Sequence, residues 1–202
     1  MHGLEDINIF AACFCAKGDL LSQWRGYAGG NHGYAIGFDP DALMQIADRL
    51  GLTLGPSIYD VAVQRKIVQQ AVTHCLMSEL DFSSERRWGF HGPLADILFR
   101  CGVFFKNTSF VDEQEWRLVS TTVRYDDDRV RFRGGRSMLT PFYALPIRHE
   151  EGLPIRQVVV GPCPHMDLSK SAVTSLLMRH GNRGPLQGQQ IAFGSGVPFR
   201  DW

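Results

Sequence analysis

Phe110-Val111-Asp112-Glu113-Gln114-Glu115-Trp116-Arg117-Leu118-Val119 is the stretch whose reading decides the fold. Read as a strand, it points Glu113, Glu115 and Arg117 to one face and Gln114, Trp116 and Leu118 to the other. It opens a series of short strand-like segments near 113–123, 129–133, 142–147 and 156–160, separated by glycine, proline or aspartate clusters. The second half of the chain is therefore expected to be mostly antiparallel sheet.

Upstream the pattern is different. Ile7 to Phe14 is apolar and partly β-branched, which predicts a buried strand, and Asp19 to Ala28 carries Leu20, Leu21, Trp24 and Tyr27 at helical spacing, closed by Gly29-Gly30-Asn31. Gly33 to Phe38 alternates like a strand. Asp39-Pro40 supplies an N-cap and a first-turn proline for a helix running to Leu50, with Gly51 as its stop. Ser57 to Val63 reads as a short strand, and helices are expected over 64–80, 93–101 and 168–180. Helices concentrate early and strands late, without the regular alternation of a doubly wound fold, so the expected class is α+β, in one domain over 1–202. Asp126-Asp127-Asp128 reads as a solvated turn, because the spaced ligands and glycine of a calcium loop are absent.

Composition narrows the function classes. The 202 residues are 44% hydrophobic, enough for a sizeable core, and 21 basic residues balance 21 acidic ones. Zero net charge argues against a general nucleic-acid or anionic-membrane coat. No apolar run approaches the roughly 20 residues that span a bilayer, and Glu5 and Asp6 stand where an export signal needs positive charge. A cytoplasmic location with no membrane partner is expected. Five scattered cysteines, Cys13, Cys15, Cys75, Cys101 and Cys163, predict reduced thiols, and neither they nor the seven histidines show metal-ligand spacing. No metal is expected.

Three constellations carry candidate chemistry. Glu113, Glu115 and Arg117 read either as a solvated strand face or as a catalytic pair in which burial and repulsion tune one acid while arginine keeps the other ionised. Cys15, at the end of the first apolar strand and ahead of Trp24 and Tyr27, reads as a buried small residue or as a thiolate beside a helix start. Trp24 and Tyr27 read as core packing or as a substrate platform. Arg129, Arg131 and Arg133 form one face of a strand, flanked by Arg124 and Arg136. That face suits a charge-protected edge or a grip on a phosphate, a pyrophosphate or an RNA backbone. Gly194-Ser195-Gly196 lacks the wider pattern of a nucleophile elbow.

Three blocks together resemble the bacterial "domain of unknown function 2971" family: Ala12 to Cys15 with Ser22 to Ala28 and Gly33 to Asp39, then Phe105 to Asn107 with Phe110 and Glu113 to Arg117, then Val197 to Arg200. The resemblance implies a shortened member, because only a dozen residues precede Cys13 where the family has an upstream block, and Cys15 stands where serine is usual. The order of parts is also similar to ADP-ribosyltransferases. That likeness implies NAD as a substrate, Glu115 as the acid that stabilises an oxocarbenium-like transition state, Glu113 orienting the acceptor, and the Cys13–Cys15 strand end as the central block, with only His2 available as a first-block residue. The competing expectations are a non-catalytic domain that binds a small nucleotide, RNA or protein through the Arg131 face, and a partner-binding domain using Phe199, Arg200 and Trp202. Oligomeric state is left open.

Overall fold

The computed structural model describes residues 7–28, 33–77, 93–124, 126–135, 137–147, 153–181 and 190–199. His2, Gly29 to Asn31, the expected helix end at 78–80, Arg136, Arg200 and Trp202 lie outside them. The chain divides into two compact units, one of Met1–Cys15 and Ala47–Leu145, the other of Ala16–Ile46 and Pro146–Trp202. The class is α+β.

The first unit is built around a three-stranded antiparallel sheet in the order β2 (Ala11–Cys15), β5 (Glu115–Val119), β4 (Thr53–Pro56). Cys13 pairs with Arg117, Cys15 with Glu115, and Gly55 with Arg117 on the other side. Two short ribbons accompany it: β1 (Ile7–Asn8) pairs with β6 (Val123–Arg124), and β7 (Val130–Gly134) pairs with β8 (Leu139–Tyr143). Helix α3 (Val61–Met77) begins where Asp60 accepts from the amides of Ala62 and Val63, and it packs on α4 (Pro93–Gly102). Leu118, Val119 and Val123 are buried here.

The second unit holds a sheet in the order β10 (Ala192–Gly194), β9 (Ile155–Val160), β3 (Tyr34–Phe38), parallel at its first pairing and antiparallel at its second. Helix α5 (Met166–Arg179) covers it, and Val158, Leu177 and Ile191 form its core cluster with Ile155 and Val173. Helix α1 (Leu21–Tyr27) is anchored at Trp24, whose indole lies so close to Gly161 that an added Cβ there would sit 3.0 Å from the ring and from the Gly33 carbonyl. Asp19 ties the same indole to the 195–196 turn: it accepts from Trp24 Nε1 at 2.7 Å, from the Gly196 amide at 2.7 Å and from the Ser195 hydroxyl. Burial works against the Asp19 carboxylate, but those three hydrogen bonds outweigh it and hold its pKa below the ordinary value.

Helix α2 (Pro40–Leu50) follows the capping signal as expected: the Asp39 carboxylate accepts from the Ala42 amide at 3.0 Å, and Gly51 closes the helix at φ 64°.

Several expectations are corrected. The 7–14 strand is two strands, and β2 is largely exposed because it is an edge strand. The strand expected over 57–63 is β4, four residues earlier, since Asp60 caps a helix instead. The 113–123 segment is not one strand: a 3-10 helix (Thr108–Glu113), started by Asn107 accepting from the Ser109 amide, ends at Gln114, whose φ of 44° turns the chain into β5. The segment 192–194, to which the sequence assigned no element, is a strand because its parallel pairing to β9 lies outside any local pattern. Asp126 and Asp127 do sit in a turn, paired with Arg124 and Arg129.

Leu177 is 9% exposed within the core cluster of its unit. Leu177→Ala should cost about 3 kcal/mol through lost transfer and an unfilled cavity, read as a lower midpoint in urea denaturation with an unchanged slope.

Candidate active site

The sequence pattern aligned Glu113, Glu115 and Arg117 on one strand face, and the structure reaches their proximity by another route. Glu115 and Arg117 do share a face of β5, but Glu113 ends the 3-10 helix and is brought in by Lys106. The Lys106 ammonium bridges Glu113 Oε2 and Glu115 Oε2. Arg117 Nε donates to Glu115 Oε1 at 2.7 Å, and Arg117 Nη1 donates to the Val103 carbonyl. Lys106 also lies over the Phe110 ring, 5.1 Å from its centroid.

This face is inside, not solvated. Glu115 is 5% exposed, and the Lys106 and Arg117 side chains are each 17% exposed, while Trp116 on the opposite face is 42% exposed. The exposed-strand expectation is therefore overturned for Glu115. The cause is the cover above it: Phe104 packs on Gly55 opposite Arg117, and the 103–106 segment is held by Ile58 donating to the Phe104 carbonyl and Lys106 donating to the Ile58 carbonyl. Gln64 Nε2 donates to the carbonyls of Ile58 and Lys106 and closes that layer.

The electrostatics follow from burial among cations. Desolvation raises the Glu115 carboxyl pKa, but hydrogen bonds from Arg117, Cys13 and Lys106, with the charge of Arg117, outweigh it and bring the pKa down to about 2. The Arg117 guanidinium, hydrogen-bonded to Glu115, and the Lys106 ammonium, whose two carboxylate partners outweigh its desolvation, are both held more firmly charged than usual. The Cys13 thiol is pushed up to about 11, first by desolvation of the sulfur and then by its hydrogen bond to Glu115 and that residue's charge. It is a donor, not a thiolate. Cys15 donates its Sγ–H to the Glu113 carbonyl at 2.7 Å. The Glu115 amide donates to the Tyr59 hydroxyl at 2.9 Å.

One polar group near this cluster is unpaired among the described residues. The Ser57 amide donates to the Glu115 carbonyl at 2.8 Å, continuing the β4–β5 register, and the Ser57 hydroxyl is buried without a hydrogen-bond partner.

Of the residues singled out from sequence, Glu113, Glu115, Arg117 and Cys15 are thus brought together. Trp24 and Tyr27 belong to the other unit, where Trp24 is a packing anchor and Tyr27 is 80% exposed, so core packing is corrected for Tyr27. Arg131 lies on β7, exposed and with no partner among the described residues. Lys106, Tyr59 and Ser57 received no role from the sequence, and Cys13 only a place in the central block. The available signal was Lys106 between the apolar 103–105 run and the Asn107 cap, a cation too close to a buried turn to be free. All five cysteines are unbridged, and among the described residues no group of three His, Cys, Asp or Glu could hold a metal ion. Among them too, no helix is long and apolar enough to cross a membrane.

Two measurements test this wiring. Because the Glu115 pKa is depressed in the folded state, its contribution to stability is complete above its ordinary value of 4.5 and is lost as pH falls toward about 2. Glu115→Gln should lower stability by about 3 kcal/mol at pH 7 and flatten the acid limb of the urea midpoint between pH 5 and 2. Cys13, raised from 9.0 to about 11, should resist iodoacetamide at pH 8.5 in the folded protein and become reactive in urea; mass spectrometry of the alkylated peptides would show it.

Comparison with curated proteins and with solved structures yields no match. A family model does match: over residues 23–118, which include most of α1, all of β4, and Lys106, Glu113, Glu115 and Arg117, the chain resembles the proteins of unknown function grouped as DUF2971.

Proposed function

We propose that the chain is an ADP-ribosyltransferase-like enzyme that cleaves the nicotinamide–ribose bond of NAD, with Glu115 as its fixed carboxylate. One observation carries the reading: Cys15, at the end of β2, pairs directly with Glu115 at the start of β5, and the neighbouring Cys13 thiol donates to the Glu115 carboxylate. That pairing is in keeping with the likeness to ADP-ribosyltransferases, which implies a central strand end next to a late acidic strand. The buried, unpaired Ser57 hydroxyl beside it supports a polar ligand.

A carboxylate held near pKa 2 is no proton donor, so its use is electrostatic. The C1′–N bond breaks with its electron pair going to the nicotinamide nitrogen, which becomes neutral. Glu115 balances the positive charge that develops on the ribose. Water or an acceptor hydroxyl, oriented by Glu113, then bonds to C1′ and releases its proton to solvent. Lys106 now neutralises both carboxylates, and the cationic nicotinamide ring of the substrate would take over part of that role by displacing the ammonium. Arg117, bonded to Glu115 and to the Val103 carbonyl, positions the carboxylate.

A second reading has its own observation. Each Glu115 oxygen already holds a cation, which suits a structural clamp in a non-catalytic domain that binds a nucleotide, RNA or protein through exposed Arg131. Nicotinamide release from NAD separates the two. The enzyme reading expects release by the wild-type protein, a loss of about 100-fold in Glu115→Gln with the circular dichroism unchanged, and a lower KM for NAD in Lys106→Ala. Absence of release from folded wild-type protein, or release untouched by Glu115→Gln, overturns it.

A further inference from the structure

β2 ends the β2–β5–β4 sheet, and among the described residues no strand lies on its far side. The ladder decides which backbone groups face that side. Ser120 donates its amide to the Phe10 carbonyl at 2.9 Å, whereas the Glu115 carbonyl is taken from the β4 side by the Ser57 amide. Bonded pairs alternate along an antiparallel ladder, so Ala12 and Phe14 bond to Leu118 and Trp116, while Ala11, Cys13 and Cys15 turn their amides and carbonyls away from β5. Those outward groups have no partner among the described residues.

An edge of this kind recruits another strand unless something blocks it. The other strands of the first unit that reach an edge are blocked or short: β4 carries Pro56, β7 carries Arg131 and Arg133, β8 carries Pro141, and β1 and β6 are two residues long. β2 reads Ala-Ala-Cys-Phe-Cys, without charge, proline or glycine, and Ala11, Ala12 and Cys13 are exposed. Its spacing is complementary to itself. With two chains antiparallel and Cys13 opposite Cys13 of the partner subunit, Ala11 lies opposite the partner's Cys15, and every outward amide and carbonyl meets its complement in about six hydrogen bonds. The side chains fit in the same register, since Phe14 then meets the partner's Ala12, a ring against a methyl, on both sides of the two-fold axis. A slip of two residues sets Phe14 against Phe14 or Ala12 against Ala12 and leaves Ala11 or Cys15 unpaired.

We infer that the chain forms a two-fold dimer by antiparallel pairing of β2 with β2 of a second copy. The occupant is a copy of this chain because an uncharged edge selects no charged partner and its register repeats across its own axis. The pairing extends the row of Ser57, Glu115 and Cys15 by the partner's Ala11, so each copy flanks the thiol side of the other's Glu115 cluster. It holds under either reading of that cluster.

Sedimentation equilibrium in reducing buffer and amide exchange with residue resolution, both on the whole chain, test the pairing. The wild type is expected to be a dimer at about 200 μM and to dissociate on dilution toward about 1 μM, as a small interface does. In the dimer the amides of Ala11, Cys13 and Cys15 should exchange about tenfold more slowly than in the dilute protein, while those of Ala12 and Phe14, bonded to β5, should not change. Ala11→Pro removes an outward N–H and no bond to β5, so it should weaken association about tenfold with the circular dichroism unchanged. Ala12→Lys, which sets a charge against the partner's Phe14, should weaken it as much by a different route. A wild type that stays monomeric at about 200 μM, a dimer in which the three outward amides gain no protection, or an association unchanged in either folded variant overturns the inference.

Discussion

A buried carboxylate sets the terms for everything around it. Glu115 cannot leave water as an anion without compensation, and Lys106 and Arg117 supply it, one on each oxygen. Those two cations in turn bind the 3-10 helix through Glu113 and the end of α4 through the Val103 carbonyl. The continuous stretch from Val103 to Arg117 is thereby folded onto one place, and β2 joins it through the Cys13 and Cys15 thiols. Directional groups in low dielectric tolerate few arrangements, so the cluster specifies how these elements meet as well as holding them.

The blocks that carried the family resemblance sort by the same logic. The parts around Cys13–Cys15 and Lys106–Arg117 meet in one unit at Glu115. The Trp24 part lies in the other unit, where Asp19 joins Trp24 to Ser195 and Gly196, just ahead of the Val197 block, and where Gly33 and Gly161 leave room for the indole. Segments distant in sequence form two polar anchors, one per unit. For Trp24, which the sequence offered as core packing or as a substrate platform, this wiring is that of a packing anchor: the indole N–H is already donated to a carboxylate held by three donors.

Local chemistry was readable wherever the cause was local. Asp39-Pro40 with Gly51 bounded α2 correctly, because a cap, a fixed proline φ and a left-handed stop all act within one turn. The Glu113–Arg117 grouping was also readable, though for a wrong reason: alternation put three charges on one strand, whereas a left-handed Gln114 and a bridging lysine bring Glu113 alongside. The Asp60 cap was missed in favour of a strand because the β-branched residues around it satisfy both patterns.

From residues alone came the α+β class, the absence of a long apolar helix pattern, the ends of α2, and the choice of Glu115 and Arg117 as the charged pair to watch. These depend on composition and on spacings of a few residues, which the chain carries without folding. Only the tertiary structure decided that the charged face of β5 lies inside and its tryptophan outside, that Lys106 completes the cluster, and that Tyr27 and Trp24 stand in the other unit. Burial is a property of what packs above a strand, and Phe104 reaches Gly55, the strand partner of Arg117, from a segment that no period of two or 3.6 connects to it.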